Sequence, residues 1–176
     1  YGDRVNAQGD RVGELKKALL RAISRGGAIL IPAFSLERTQ LMLYELSNFI
    51  AAGDLPRIPV FLDSPLAIKV TDVYRKWGSE YFKPEAEDEL AREHDIFRFP
   101  FLSETLSREE SDAIAKAPDP KIIIAGAGMS HGGRIGRWEE RYLPLPSTPL
   151  MIVGYQAPGS PGRLWRDGAR PARVNG

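Results

Sequence analysis

The chain has 176 residues, 43% hydrophobic and 27% charged, with 17 glycines, 14 prolines, two histidines and no cysteine. A chain of this length buries roughly 70% of the surface its unfolded form exposes, which excludes disorder and collagen-like repeats, while the Cys and His counts exclude a thiol nucleophile, a Cys-rich zinc site and a cluster of histidine ligands. The net charge of +1 divides into −4 over residues 1–120 (16 basic, 20 acidic) and +5 over residues 121–176 (8 basic, 3 acidic), and this positive third suits either a phosphate-rich partner or a face of solvated arginines.

Asp10 is placed to cap a helix in which Val12, Leu15, Ala18, Leu19, Ala22 and Ile23 recur at helical spacing, and Gly26-Gly27 ends it. The apolar run Ala28 to Phe34 reads as a buried strand, Ser35 as the cap of the next helix, and Met42, Leu43, Leu46, Phe49 and Ile50 as that helix's buried stripe. Strand, tight turn and helix then repeat: Ile58 to Leu62, a cap at Asp63-Ser64-Pro65, and a helix lined by Ala67, Val70, Val73, Tyr74 and Trp77. Residues 78–112 carry 11 acidic and 4 basic side chains and read as a peripheral excursion, with Phe97 to Phe101 as an edge strand and Ser107 to Glu110 as a capping box. Lys121 to Ala125 is a third buried strand, Gly126 to Gly133 a glycine-rich loop, Arg134 to Tyr142 a helix, and Pro149 to Tyr155 a fourth strand. Continuous apolar strands alternating with helices predict an α/β fold, a mainly parallel, Rossmann-like sheet of about four strands covered on both faces.

In such a sheet ligands bind beyond the carboxyl ends of the strands. The loop Gly126 to Arg134 has the strongest physical case there, since glycines let backbone amides approach an anion at a helix N-terminus and Arg134 adds a bidentate donor. Arg38 stands in the first turn of its helix, where a cation opposes the macrodipole unless an anion or an ion pair is near. The rival dinucleotide fingerprint lacks its third glycine at the right spacing and an acid for the ribose, and no Lys-Ser or Lys-Thr makes a P-loop. His131 reads as an acid or base or as a plain loop residue, His94 as solvated surface, and Asp63 first as a capping residue.

Six blocks in order resemble one family. They are Tyr1-Gly2-Asp3-Arg4; Pro32-Ala33-Phe34-Ser35 with Arg38-Thr39-Gln40; Leu62 to Ala67; Gly128-Met129-x-x-Gly132-Gly133-Arg134-Ile135; Val153 to Gly159; and Asp167-Gly168. Together they look like the β-CASP domain of metallo-β-lactamase-fold nucleases that act on RNA, similar in kind to the cleavage and polyadenylation endonuclease and its bacterial and archaeal relatives. The resemblance departs at Asn6, where relatives often carry His, and at Arg137-Trp138-Glu139-Glu140, where many show a His-rich continuation.

The resemblance implies that residues 1–176 form a single domain inserted in, or cut from, a larger protein whose lactamase half holds two zinc ions. This chain is then expected to close over the active-site cleft, to carry no catalytic or metal residue, and to bind neither stoichiometric zinc nor cleave RNA alone. Its RNA phosphate contacts are expected at Ser35, Arg38, Ser64, Gly128, Ser130, Gly132, Gly133 and Arg134, with Arg134 the chief one. The implied partners are RNA, the lactamase domain of the same polypeptide and a second copy of the parent, with no membrane and a cytoplasmic setting. An insertion also predicts that Tyr1 and Gly176 lie close together. The alternative is an independent Rossmann-like module for a nucleotide or a protein partner.

Overall fold

The computed structural model describes residues 9–77 and 96–168. Helix α1 runs Arg11–Ile23, with Asp10 as its cap and the Asp10 side chain accepting from Gly13 N at 2.7 Å. Strand β1 (Ala28–Pro32) is followed by α2 (Arg38–Ala51), β2 (Val60–Asp63), α3 (Pro65–Trp77), β3 (Leu102–Glu104) and α4 (Arg108–Ala113). A 3-10 turn at Ile114–Lys116 leads to β4 (Lys121–Ala125), then α5 (Gly133–Tyr142) and the short α6 (Pro161–Arg166). The expected capping box opens α4: Ser107 and Glu110 each accept from the other's backbone amide.

The four strands form one parallel sheet in the order β1-β4-β2-β3. Because side chains alternate across a strand, Ile29, Ile31, Val60, Leu62, Ile122 and Ile124 face one way and join Leu19, Leu43 and Leu46 of α1 and α2. Ala28, Leu30, Ile123 and Ala125 face the other way, against Ile135, Trp138 and Tyr142 of α5. Every residue of β1 and β4 is buried, as strands covered on both sides must be. The fold class is therefore the α/β one that the apolar runs predict.

Two strand assignments need correction. Pro149 to Tyr155 is not a strand; it makes one parallel bridge, in which Leu30 N donates to Pro149 O at 3.0 Å and Met151 N donates to Leu30 O at 2.8 Å. The even residues of β1 face this outer edge, and the next donor along it would be the nitrogen of Pro32, which has no hydrogen. The fourth strand is instead β3, just beyond the Phe97 to Phe101 run. Phe97 and Phe99 fill the core with Ile96, while Phe101 has φ +76 and turns the chain into the ladder with β2. Residues 96–112 are thus built into the domain rather than peripheral to it, whereas residues 78–95 of the expected excursion lie outside the described residues. So do Tyr1 and Gly176, and with them the expected proximity of the ends.

Among the described residues no helix is long and apolar enough to cross a membrane.

Candidate functional site

The turn after β1 is held by the residues that follow it. Phe34 O accepts from both Thr39 N (3.2 Å) and Thr39 Oγ1 (2.8 Å), and Ser35 O accepts from Gln40 Nε2 (3.1 Å), which also donates to Thr71 Oγ1 at 2.9 Å. These bonds spend residues 34–37 on a turn, so α2 is capped at Glu37 and not at Ser35. Ser35 is left with its hydroxyl toward the neighbouring loop. After β2 the cap is Ser64, whose Oγ accepts from Ala67 N at 3.4 Å.

These two hydroxyls meet the glycine-rich loop. A Cβ built on Gly126 would lie 3.6 Å from Ser64 Oγ and 4.0 Å from Ser35 Oγ. Three loops, from the carboxyl ends of β1, β2 and β4, therefore converge on one spot. The glycine loop itself is folded tightly: Gly126 O accepts from Ile135 N at 2.8 Å, and a methyl on Gly133 would come within 2.5 Å of that same carbonyl. Gly132 and Gly133 both have φ near +70°, but a methyl on Gly132 meets open space. Gly133→Ala should thus destabilise the domain by more than the roughly 1–3 kcal/mol that such a sparsely populated positive-φ conformation costs a non-glycine residue alone, and Gly132→Ala by about that cost. Thermal melts of the two variants check the order, and equal losses would show that the Gly126 carbonyl does not restrict the turn.

Asp63 is not a cap. It is fully buried and accepts four hydrogen bonds: Thr105 Oγ1 (2.7 Å) and Arg134 Nη1 (2.6 Å) on one oxygen, Ser111 Oγ (2.7 Å) and Trp138 Nε1 (2.7 Å) on the other. Burial pushes this carboxyl up, but the bonds from Thr105, Ser111, Trp138 and Arg134 outweigh it and hold it below the usual carboxylate range. Arg134 also donates to Thr105 O at 3.0 Å and Leu106 O at 2.7 Å. The guanidinium expected to await a phosphate is thus engaged in stitching the β2, β3 and β4 loops together. Of its five N–H donors three are used, and its side chain remains 24% exposed.

Ser130, another expected contact, is buried with φ +61, and its Oγ donates to Glu139 Oε1 at 2.6 Å. Glu139 is buried in turn, and desolvation raises its carboxyl to about 7, against the Ser130 hydrogen bond and with Glu140 adding to the rise. Ser130 therefore shapes the loop from within. Arg38 stands half-buried in the first turn of α2, and among the described residues no carboxylate pairs with it. Arg11, which the spacing did not single out, joins it along a groove of about 660 Å3 between α1, α2 and residues 150–153. His131 is exposed.

The glycine loop is backed by the segment that follows the single bridge. Gln156, buried, donates from Nε2 to Gly128 O at 2.8 Å and Gly154 O at 3.4 Å, and Gly162 N donates to Met129 O at 3.3 Å. Four of the six blocks thereby acquire a physical meaning, because Phe34, Ser35, Ser64, Gly128 and Gln156 all end at one crevice.

The family model described as Beta-Casp domain matches residues 39–164, most of the chain and all of this crevice's later loops. The chain belongs to the Beta-Casp domain family. Within it the chain is similar to Ribonuclease TTHA0252 of Thermus thermophilus, at 37% identity over 92% of this chain and 37% of that protein. It is similar to transcription termination factor FttA of Pyrococcus horikoshii at 31% identity (97% of this chain, 26% of that protein). It also resembles an RNase J-like protein of Methanocaldococcus jannaschii at 29% identity (89% and 35%). The chain thus spans between 26% and 37% of the length of these curated relatives. Among the described residues of this Beta-Casp domain no three His, Asp or Glu side chains stand together as metal ligands.

Proposed function

We propose that this chain is the RNA-positioning part of a ribonuclease, forming one wall of the cleft in which a strand is cut. The observation that carries the reading is the convergence of Ser35, Ser64 and the Gly126 to Gly133 loop at the carboxyl ends of three parallel strands, the place where such sheets bind ligands. The names of two relatives, a ribonuclease and an RNase J-like protein, supply the substrate class.

Phosphate oxygens would be met by the hydroxyls of Ser35 and Ser64 and by the backbone of Gly128, Gly132 and Gly133, with the guanidinium of Arg38 as a further cation. In this division of labour Ser130 and Arg134 first hold the loop in shape, and the two unspent N–H donors of Arg134 add to the anion site. Two zinc ions, expected from the resemblance in a metallo-β-lactamase half of the same polypeptide, would supply an activated water and stabilise the leaving oxygen. In this reading bond cleavage is assigned to that half, as the resemblance implies. What this chain does is bind the strand by its phosphates and orient it.

The test is salt-dependent RNA binding by the whole polypeptide. Arg38→Ala is expected to weaken binding of single-stranded RNA of any sequence and to lower the salt slope by about 0.7, the value for one lost phosphate contact. Unchanged affinity with parallel slopes would remove Arg38 from the interface. A wild-type protein that binds no RNA would end the reading as a whole.

A further inference from the structure

Phosphate contacts say nothing of the bases, yet one side chain at the crevice is shaped to meet them. Phe34 is 37% exposed, in the turn that leads from the buried strand β1 to α2. Its backbone is pinned by the two bonds from Thr39. Its ring lies in a cradle made by two glycines from different loops. A Cβ on Gly128 would strike Phe34 Cδ2 at 2.7 Å and Cγ at 2.8 Å, and one on Gly154 would touch Cε2 at 3.4 Å.

Neither glycine is required by its own backbone, since Gly128 and Gly154 are absent from the residues with positive φ. At Gly128 the space is needed, because a Cβ there would overlap both the ring and the backbone nitrogen of Phe34 (2.8 Å), whereas at Gly154 a Cβ would only reach van der Waals contact with the ring. The ring uses that space. Gln156 then ties the two glycine carbonyls together from one amide nitrogen, and Gly162 leaves room for the Gln156 side chain, whose Oε1 occupies the place of a Cβ. The ring therefore rests on Gly128 and Gly154, which Gln156 holds together, and more than a third of Phe34 still faces outward. A core aromatic does not need such seating to remain exposed, and an aliphatic side chain would serve a merely apolar contact as well.

We propose that Phe34 is a base-stacking platform for single-stranded RNA, receiving the face of a nucleobase whose backbone passes over the adjacent Gly126 to Gly133 loop. This rests on the RNA reading above and adds to it a contact with the base. Stacking on an aromatic ring is indifferent to sequence, because every base has a π-face, and it releases no counterions. Its loss should therefore differ in kind from the loss of Arg38.

The experiment compares wild type, Phe34→Leu and Phe34→Trp in the whole polypeptide, with a short single-stranded RNA in which one abasic nucleotide is walked along the chain. Phe34→Leu should weaken binding of intact RNA about 5- to 150-fold with the salt slope unchanged, and Phe34→Trp should restore it. One abasic position should weaken wild type by a similar factor and leave Phe34→Leu unaffected, and 2-aminopurine at that position should be quenched by wild type and not by Phe34→Leu. Melting curves show whether the leucine variant is folded, and rescue by tryptophan guards against a general packing defect. RNA binding that is equal in wild type and a folded Phe34→Leu, or a leucine variant that loses the same factor at every abasic position, overturns the stacking proposal and leaves the phosphate reading standing. Failure of wild type to bind any RNA overturns both.

Discussion

Asp63→Asn is expected to cost about 3–5 kcal/mol of stability, the range for removing one partner from a buried charge pair. The isosteric amide keeps the volume, so the loss isolates charge and hydrogen bonding. On one side Arg134 Nη1, 2.6 Å from the carboxylate, would be left without its counter-charge. On the other, whichever way the amide turns, its NH2 faces a donor that cannot reverse: Trp138 Nε1 at 2.7 Å, or the Arg134 guanidinium. Ser111 cannot easily relieve the conflict, since its Oγ already accepts from Arg137 Nη2 at 2.5 Å. Against a total stability of about 5–15 kcal/mol such a loss is a large share, and it would loosen the β2, β3 and β4 loops together. Urea denaturation of the two proteins at neutral pH measures it, and a difference under about 1 kcal/mol would mean that the four bonds contribute little beyond their desolvation. The wild-type carboxyl is held low in the fold, so its contribution is present above the ordinary carboxylate range and fades as pH falls through and below it.

Glu139→Gln should do the opposite, and only at the upper end of the pH scale. The Glu139 carboxyl rises from 4.5 to about 7 in the fold, because burial disfavours its charged form. Between those two values the native state keeps a proton that the unfolded chain has released, so stability declines as pH rises through this window and stays lower above it. Glutamine retains an oxygen that can accept from Ser130 Oγ and has no proton to lose. The variant should match wild type near pH 4.5 and exceed it by about 2–3 kcal/mol at pH 8, from a shift of this size at about 1.4 kcal/mol per unit. Denaturation midpoints at the two pH values give the comparison. A gain that is the same at both would assign it to packing and not to ionisation. Because Ser130 lies in the glycine loop, the same variant should also keep that loop in its folded shape at alkaline pH.

Much of this domain was legible from local pattern. The cap of α1, the capping box of α4, most of the stripes of α1 and α2, and the cores of β1, β2 and β4 follow from helical spacing, side-chain caps and apolar runs, all of which are interactions within a few residues. The lining expected of α3 does not hold as a whole, since Val73 and Trp77 are exposed and Ala67, Ile68 and Thr71 are the residues it buries. The order of the β-CASP blocks was equally readable, and with it the crevice where Ser35, Ser64 and the glycine loop meet.

Tertiary structure alone decided the rest, for a common physical reason: the deciding partner lies far away in sequence. Pro149 to Tyr155 has the composition of a strand, but a proline more than a hundred positions earlier withholds the hydrogen that would extend its ladder. Asp63 before Ser-Pro reads locally as a cap, and becomes a buried hub only because Thr105, Ser111, Arg134 and Trp138, between 42 and 75 residues away, bring four donors to it. Arg134 in its turn reads as a free cation after glycines until that acid claims it. The glycine at 128 looks like a loop residue of the ordinary sort, and its reason appears only when Phe34 is found packed against it. Local chemistry determines which segments are helix and strand, but a buried polar group can be satisfied, or an exposed ring seated, only by whatever the folded chain delivers to it.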